Sequence, residues 1–364
     1  MKGIKMSTKI PIGPFHIGLE EPIYFKIDLE GETVKNVDMI NGFVHRGIEY
    51  LAMQKNFFQN LILTERVCSL CSNNHPFTYV MAVEKIAGIE VSRRANYLRV
   101  VADEVKRIAS HMFNLSMLAH LIGFHSLMTQ TMEAREIMQD IKESIWGNRM
   151  DMSANTISGV KYDLDEGQIE YILKRLDELE PQVDEIIDIY FNHKIVKART
   201  VGVGVLPKED ALRLGVTGPT ARGSGVNNDV RVKAPYAAYD ELKVNVILEE
   251  GGDVHARTKV RWREVKESIR LVREAITNLP EGPVVLDKRP HIPAGEAVTR
   301  SEAPRGELIY YLKTNGAQKP ERMRWRVPTY MNWEALRVMI PGNKLSDVAV
   351  IFNSIDPCIS CTER

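Results

Sequence analysis

The four cysteines of this sequence form two CxxC pairs, Cys68 and Cys71 in RVCSLCSNNH and Cys358 and Cys361 in DPCISCTER. Thiolate sulfur is a soft ligand, and two such pairs could hold zinc, an iron-sulfur cluster, or nickel and iron. Disulfides are the other use for four cysteines, but they belong mainly to secreted chains. The opening MKGIKMSTKIPIGPFH lacks the apolar core of a secretory signal. A thioredoxin-like pair would need a strand-to-helix setting at each CxxC, and the second CxxC lies three residues from the end of the sequence. Structural zinc sites usually draw their pairs from a few tens of residues, whereas nearly the whole chain separates these two. Spacing alone leaves the metal open.

Other residues could move protons or steady a charged centre. Glu20 and Glu21 sit together in GLEEP, Arg305 lies in EAPRG, and His75 closes RVCSLCSNNH. Each has a plain reading by itself: a loop acid, a surface guanidinium, a packed histidine. His45, His111, His120 and His125 read as helix or loop residues with ordinary hydrogen bonds, and Met112, Met117, Met128 and Met132 as core filling. Arg222 and Arg231 read as solvated.

The elements that must position these groups follow from periodicity. IYFKIDL places Ile23, Phe25, Ile27 and Leu29 on one face, and EGE turns the chain into VKNVDM, which predicts an N-terminal β-hairpin. From about residue 51 the period becomes helical. Ser92 opens a long helical stretch to 124, and further helices are predicted over 127–145, 167–192 and 257–279. Gly and Pro between 199 and 236 predict an irregular connection. Beyond 280, short strands or loops such as ELIYYLKTNG are expected, with Ser346 and Asp347 opening a helix over DVAVIFN.

The expected fold class is α+β and predominantly helical: a central helical bundle, a small N-terminal antiparallel β element, and a mixed C-terminal region carrying the second CxxC. One domain is expected over 1–364, with a β-rich part at 1–50, the bundle and first CxxC at 51–200, and the mixed region at 201–364. The 48 basic and 48 acidic residues cancel, so no global field favours nucleic acid as a partner. No run of about 18 apolar residues occurs. The chain is expected to be cytoplasmic, peripheral on the inner face of the membrane and held there only through partner subunits.

RVCSLCSNNH resembles the first signature of the large, catalytic subunit of nickel-iron hydrogenases, and DPCISCTER resembles the second. The resemblance continues through IPIGPFHIGLEEP, HRGIE at 45–49, GVTGPTARGSGVNNDVR and EAPRGELIYYLKTNG. These segments are also similar to the quinone-site subunit of respiratory complex I. Together they indicate the membrane-bound, energy-converting branch, which includes the Ech-type and carbon-monoxide-induced hydrogenases.

The resemblance implies a nickel-iron centre in which Cys68 and Cys358 are terminal nickel ligands while Cys71 and Cys361 bridge nickel to iron. It implies an Fe(CO)(CN)2 unit whose diatomic ligands come from maturation proteins. Cys358 becomes the first base and Glu21 the carboxylate that relays protons, so that H2 is formed or split at the metals. Arg305 projects over the diatomic ligands, where a permanently charged donor fork suits cyanide nitrogens. His75 hydrogen-bonds a bridging sulfur. With all four cysteines committed, no iron-sulfur cluster belongs to this chain. A small subunit with a proximal 4Fe-4S cluster, a ferredoxin-like iron-sulfur subunit, integral membrane antiporter-like subunits and ferredoxin itself are the implied partners.

One departure stands out. Many hydrogenases end in CxxCxxH, whose histidine, exposed when a tail is cleaved, helps a glutamate of RGxE hold a third metal. This sequence has Arg364 at that place and Glu49 in HRGIE. Arginine has no acceptor with which to ligate a metal, so an Arg364–Glu49 ion pair is expected to replace the third metal. The sequence ends at Arg364, which is expected of a mature form or of a member made without a cleavable tail. The rival readings are a complex I-like quinone-site or scaffold subunit, whose relatives have lost these cysteines, and a structural zinc protein.

Overall fold

Phe25, Ile27 and Leu29 alternate with the more exposed Lys26, Asp28 and Glu30, the signature of a strand with one face on a core. In a computed structural model, which describes residues 7–287 and 289–364, this strand β2 (Tyr24–Glu30) lies between β1 (Ser7–Ile12) and β3 (Thr33–Ile40) in an antiparallel sheet. The predicted hairpin is β2–β3, with Tyr24 opposite Ile40. Two short helices, α1 (Ile48–Ala52) and α2 (Phe57–Glu65), then lead to the first CxxC. α3 (Asn74–Ala87) leaves it.

The bundle is built around α4 (Arg93–Leu121), which starts where Ser92 Oγ accepts the Ala95 N–H at 3.1 Å. α4 packs against α5 (His125–Trp146) and α7 (Val254–Thr277), and α6 (Glu166–Asn192) packs on both of those. α6 is opened by a capping box between Asp165 and Gln168. No helix among the described residues is long and apolar enough to cross a membrane.

The C-terminal region departs from the expectation of short strands. β4 (Ala294–Ala303), β5 (Gly306–Asn315) and β6 (Arg322–Arg326) form a three-stranded antiparallel sheet, with β5 in the centre. Leu308, Tyr310, Leu312 and Thr314 face inward from β5. Its partner AGEAVTRSEA carries few large apolar residues, which hid its length. The irregular connection also contains short helices at Lys208–Arg213, Gly218–Arg222 and Val230–Lys233.

Arg222 and Arg231 are buried, not solvated. Arg222 donates to Glu264 at 2.8 Å and Glu302 at 2.7 Å, and Arg231 to Glu104 at 3.1 Å and Asp229 at 2.7 Å. Sequence polarity suggested water, but buried carboxylates on three other elements take its place. His111 joins the same group through Glu264 at 3.0 Å. Met112 is fully buried, while Met117, Met128 and Met132 are partly covered.

Two apolar cores result. One runs through the bundle and the N-terminal sheet; the other lies between α3 and the β4–β6 sheet and includes all four cysteines. The second CxxC reaches that core through α8 (Val348–Ser354), packed on α4, and the final helix α9 (Ile359–Glu363).

Candidate metal centre

The first cysteine pair lies in the turn between α2 and α3, and the second straddles the start of α9. Their four sulfurs all lie within 4.8 Å of one another, and all four cysteines are buried. Contacts cross between the chain's two ends: Cys71 Sγ is 3.1 Å from Cys361 Sγ, and Cys68 Sγ is 3.1 Å from Cys358 Sγ. A disulfide would need about 2.05 Å. Four thiolates about 2.3 Å from a tetrahedral ion would lie about 3.8 Å apart, so small adjustments let this set enclose a soft cation.

Electrostatics favour that use. Hydrogen bonds from Cys358, Cys361 and Cys68 hold the Cys71 thiol well below the ordinary thiol range, while burial pushes Cys361 well above it. A metal ion would allow all four to ionise. The donor set and its burial fit a nickel-iron pair.

His75, in the first turn of α3, places Nε2 3.3 Å from Cys361 Sγ and Nδ1 2.7 Å from the Tyr310 hydroxyl. The α3 start is anchored on α4, where Asp103 accepts from Asn73 at 3.2 Å and from Asn74 at 2.5 Å.

Arg305 occupies the tight turn between β4 and β5, fully buried, donating to Asp356 at 2.7 Å and to Ser110 at 3.1 Å. Burial opposes its charge, but Asp356 and then the cysteine sulfurs outweigh burial and keep it protonated. Asp356 itself has φ 54, in the left-handed region that Asp tolerates better than most side chains. The turn is held by a close backbone approach. A Cβ on Gly306 (φ +125) would meet Gly218 N at 2.7 Å, and a Cβ on Gly218 (φ +68) would fall on the Arg305 carbonyl oxygen. Glycine in both PRG and TGP is thus a packing requirement. A small cavity lies against Cys71, His75, Arg305, Thr329, Cys358 and Cys361.

The two acids of GLEEP have different surroundings. Glu21 accepts the Ile359 N–H, the Ser360 N–H at 3.1 Å and the Ser360 hydroxyl, so its carboxylate caps the helix that carries Cys361. Glu20 accepts from Asn353 at 2.5 Å, and burial followed by the nearby Asp356 raises its carboxyl to about 7.

Glu49 and Arg364 are brought together: Arg364 Nε donates to Glu49 Oε1 at 2.9 Å. Glu49 also pairs with Arg324 and accepts the Trp325 N–H at 3.2 Å. Residues that sequence reasoning missed are Tyr310, Asp356, Ser110 and Thr329, whose hydroxyl accepts the Cys358 N–H at 3.1 Å. Asp356, the first residue of DPC, carried a positional hint. The other three come from remote elements and left no local signal. Among the weaker histidines, His45 Nδ1 lies 2.5 Å from the Glu363 carbonyl, and His120 and His125 pair with each other at 3.4 Å.

The family model described as "Nickel-dependent hydrogenase" matches residues 46–176, and that described as "Respiratory-chain NADH dehydrogenase, 49 Kd subunit" matches 122–291 and 285–364. The chain is 58% identical to the carbon monoxide-induced hydrogenase of Rhodospirillum rubrum, over 99% of this chain and 100% of that protein. It is 39% identical to the membrane-bound hydrogenase subunit alpha of Pyrococcus furiosus, over 100% of this chain and 89% of that one. A chain in the solved structure of a membrane-bound sulfane sulfur reductase, an archaeal respiratory membrane complex, superposes with TM-score 0.93 at 28% identity, covering 98% of each chain. The fold and the four-cysteine site thus define a large subunit of the nickel-dependent hydrogenase class. This chain belongs to the nickel-iron hydrogenase large-subunit family, on the membrane-bound branch related to the 49 kDa subunit of complex I.

Proposed function

We propose that this chain is the catalytic subunit of a multi-subunit energy-converting hydrogenase that reversibly reduces protons to H2 with ferredoxin electrons, coupled through membrane subunits to ion translocation. The observation that carries this reading is the convergence of four buried cysteines from opposite ends of the chain, beside a buried charged arginine. When bound, a nickel-iron pair with Fe(CO)(CN)2 supplies the redox chemistry that makes and breaks the H–H bond.

The protein's residues then have separate tasks. Cys68 and Cys358 would be the terminal ligands of nickel, and Cys71 and Cys361 would be shared between nickel and iron. Cys358 serves as the first base. Glu21, bonded to the N–H of Ile359, the first residue of α9 and the one after Cys358, passes the proton outward. Arg305, oriented by Asp356 and Ser110, would offer hydrogen bonds to cyanide, and it lines the same small cavity as Cys71, Cys358 and Cys361. His75 steadies the bridging Cys361. The Arg364–Glu49 pair, shared with Arg324, fills the place of a third metal with positive charge. A divalent ion found beside Glu49 in the native complex would contradict that last role.

Electrons arrive from a small subunit carrying a proximal 4Fe-4S cluster, fed by a ferredoxin-like subunit, and antiporter-like membrane subunits hold the assembly at the inner face of the membrane. Ferredoxin-driven H2 evolution by the purified complex tests the reading. The unaltered complex should evolve H2 and a Cys358→Ser complex should not. An unaltered, metal-replete complex with no H2 evolution would overturn it.

A further inference from the structure

Tyr310 belongs to no assigned role, yet among the described residues it makes the only side-chain hydrogen bond to the second nitrogen of His75. Its hydroxyl lies 2.7 Å from Nδ1, while Nε2 faces Cys361 Sγ at 3.3 Å. A neutral imidazole carries one N–H and one lone pair, and the bond at one nitrogen decides which sits at the other. A ligating thiolate sulfur only accepts.

The phenol can only resolve this in one direction. Tyr310 is fully buried, and a phenol, whose ordinary ionisation lies near about 10, is a proton donor at neutral pH. It therefore keeps its proton, and among the described residues that proton has no acceptor except His75 Nδ1. The position is firmly held. Tyr310 alternates inward on β5, and its ring stacks on Trp325 at 5.2 Å with 15° between planes. Trp325 is covered by the Arg364 guanidinium at 5.9 Å, and its backbone N–H is held by Glu49.

We propose that Tyr310 is a positioning residue which, by donating to His75 Nδ1, fixes the tautomer that points the histidine's one N–H at the Cys361 sulfur. Without that donor the alternative tautomer becomes available and turns a lone pair toward a lone pair. The sulfur then loses a hydrogen bond and gives more electron density to whatever metal it binds. This inference rests on the reading of Cys361 as a bridging ligand.

Infrared spectra of the iron-bound carbon monoxide and cyanide in the purified holoenzyme complex test it, with nickel and iron content measured alongside. In Tyr310→Phe the bands should move to lower wavenumber at unchanged metal content. With 3-fluorotyrosine at position 310, a stronger donor of nearly the same shape, they should move to higher wavenumber. Opposite signs are not expected of a merely structural disturbance. Bands that stay in place, or move the same way in both, would overturn the proposal; if Tyr310→Phe fails to retain metal, the fluorinated complex carries the test alone. An unaltered complex with neither nickel nor bands would overturn the functional reading itself, and this inference with it.

Discussion

At the scale of single residues, the proposed function divides the site into cysteines that would hold metal and a carboxylate that would pass protons. Cys358→Ser should lose nickel as well as H2 evolution, measured by metal analysis and gas chromatography, because a neutral hydroxyl replaces a thiolate. Glu21→Gln should keep its metals, since an amide oxygen still accepts from the α9 backbone, but should slow proton–deuteron exchange by about a hundredfold or more. Full exchange activity in Glu21→Gln would remove Glu21 from the proton route. The cysteines, and through the family resemblance the places of Arg305, His75 and Glu21, were legible in the sequence. The separate environments of Glu20 and Glu21 were not, because two adjacent acids look alike until Asn353 and Ser360, from the far end of the chain, arrive beside them.

At the scale of elements, the site gathers the turn between α2 and α3, the β4–β5 turn, the segment between β1 and β2 that carries Glu21, and the start of α9. The β2–β3 hairpin and the long helices were legible because their apolar periods are strong. The β4–β6 sheet was underread because a partly exposed strand such as AGEAVTRSEA does not alternate clearly. Gly306→Ala should destabilise the protein by at least about 1–3 kcal/mol and loosen Arg305, read as a lower Tm and weaker metal retention. A Tm equal to that of the parent would show that the Gly218–Gly306 approach is not tight.

The buried charge group linking α4, α7 and β4 makes a prediction about pH. Burial, then Asp229, raises the Glu302 carboxyl to about 7, and burial raises Asp103 to about 6. Both lie above their unfolded values, so the fold favours their protonated forms. Their contribution to stability is complete below about pH 4 and is lost as pH rises through about 6 to 7. Glu104 and Glu264, each lowered to about 2 against opposing burial, by Arg107 and Arg222 respectively, act in the opposite sense and lose their contribution only in acid. Glu302→Gln should flatten the decline in Tm between pH 5 and 8. An unchanged slope would mean that Glu302 is ionised throughout.

At the scale of the whole molecule, two cores are joined so that residues about 290 positions apart in sequence share one sulfur cluster. That distance is why spacing could not choose the metal, and why a match at both ends was needed. The central claim is that this cluster holds nickel and iron. Metal analysis combined with infrared spectroscopy of the purified native complex tests it most directly. The account predicts one nickel per large subunit, iron in excess of nickel because the partner subunits carry clusters of their own, and bands from iron-bound carbon monoxide and cyanide, whereas stoichiometric zinc without nickel or those bands would contradict it.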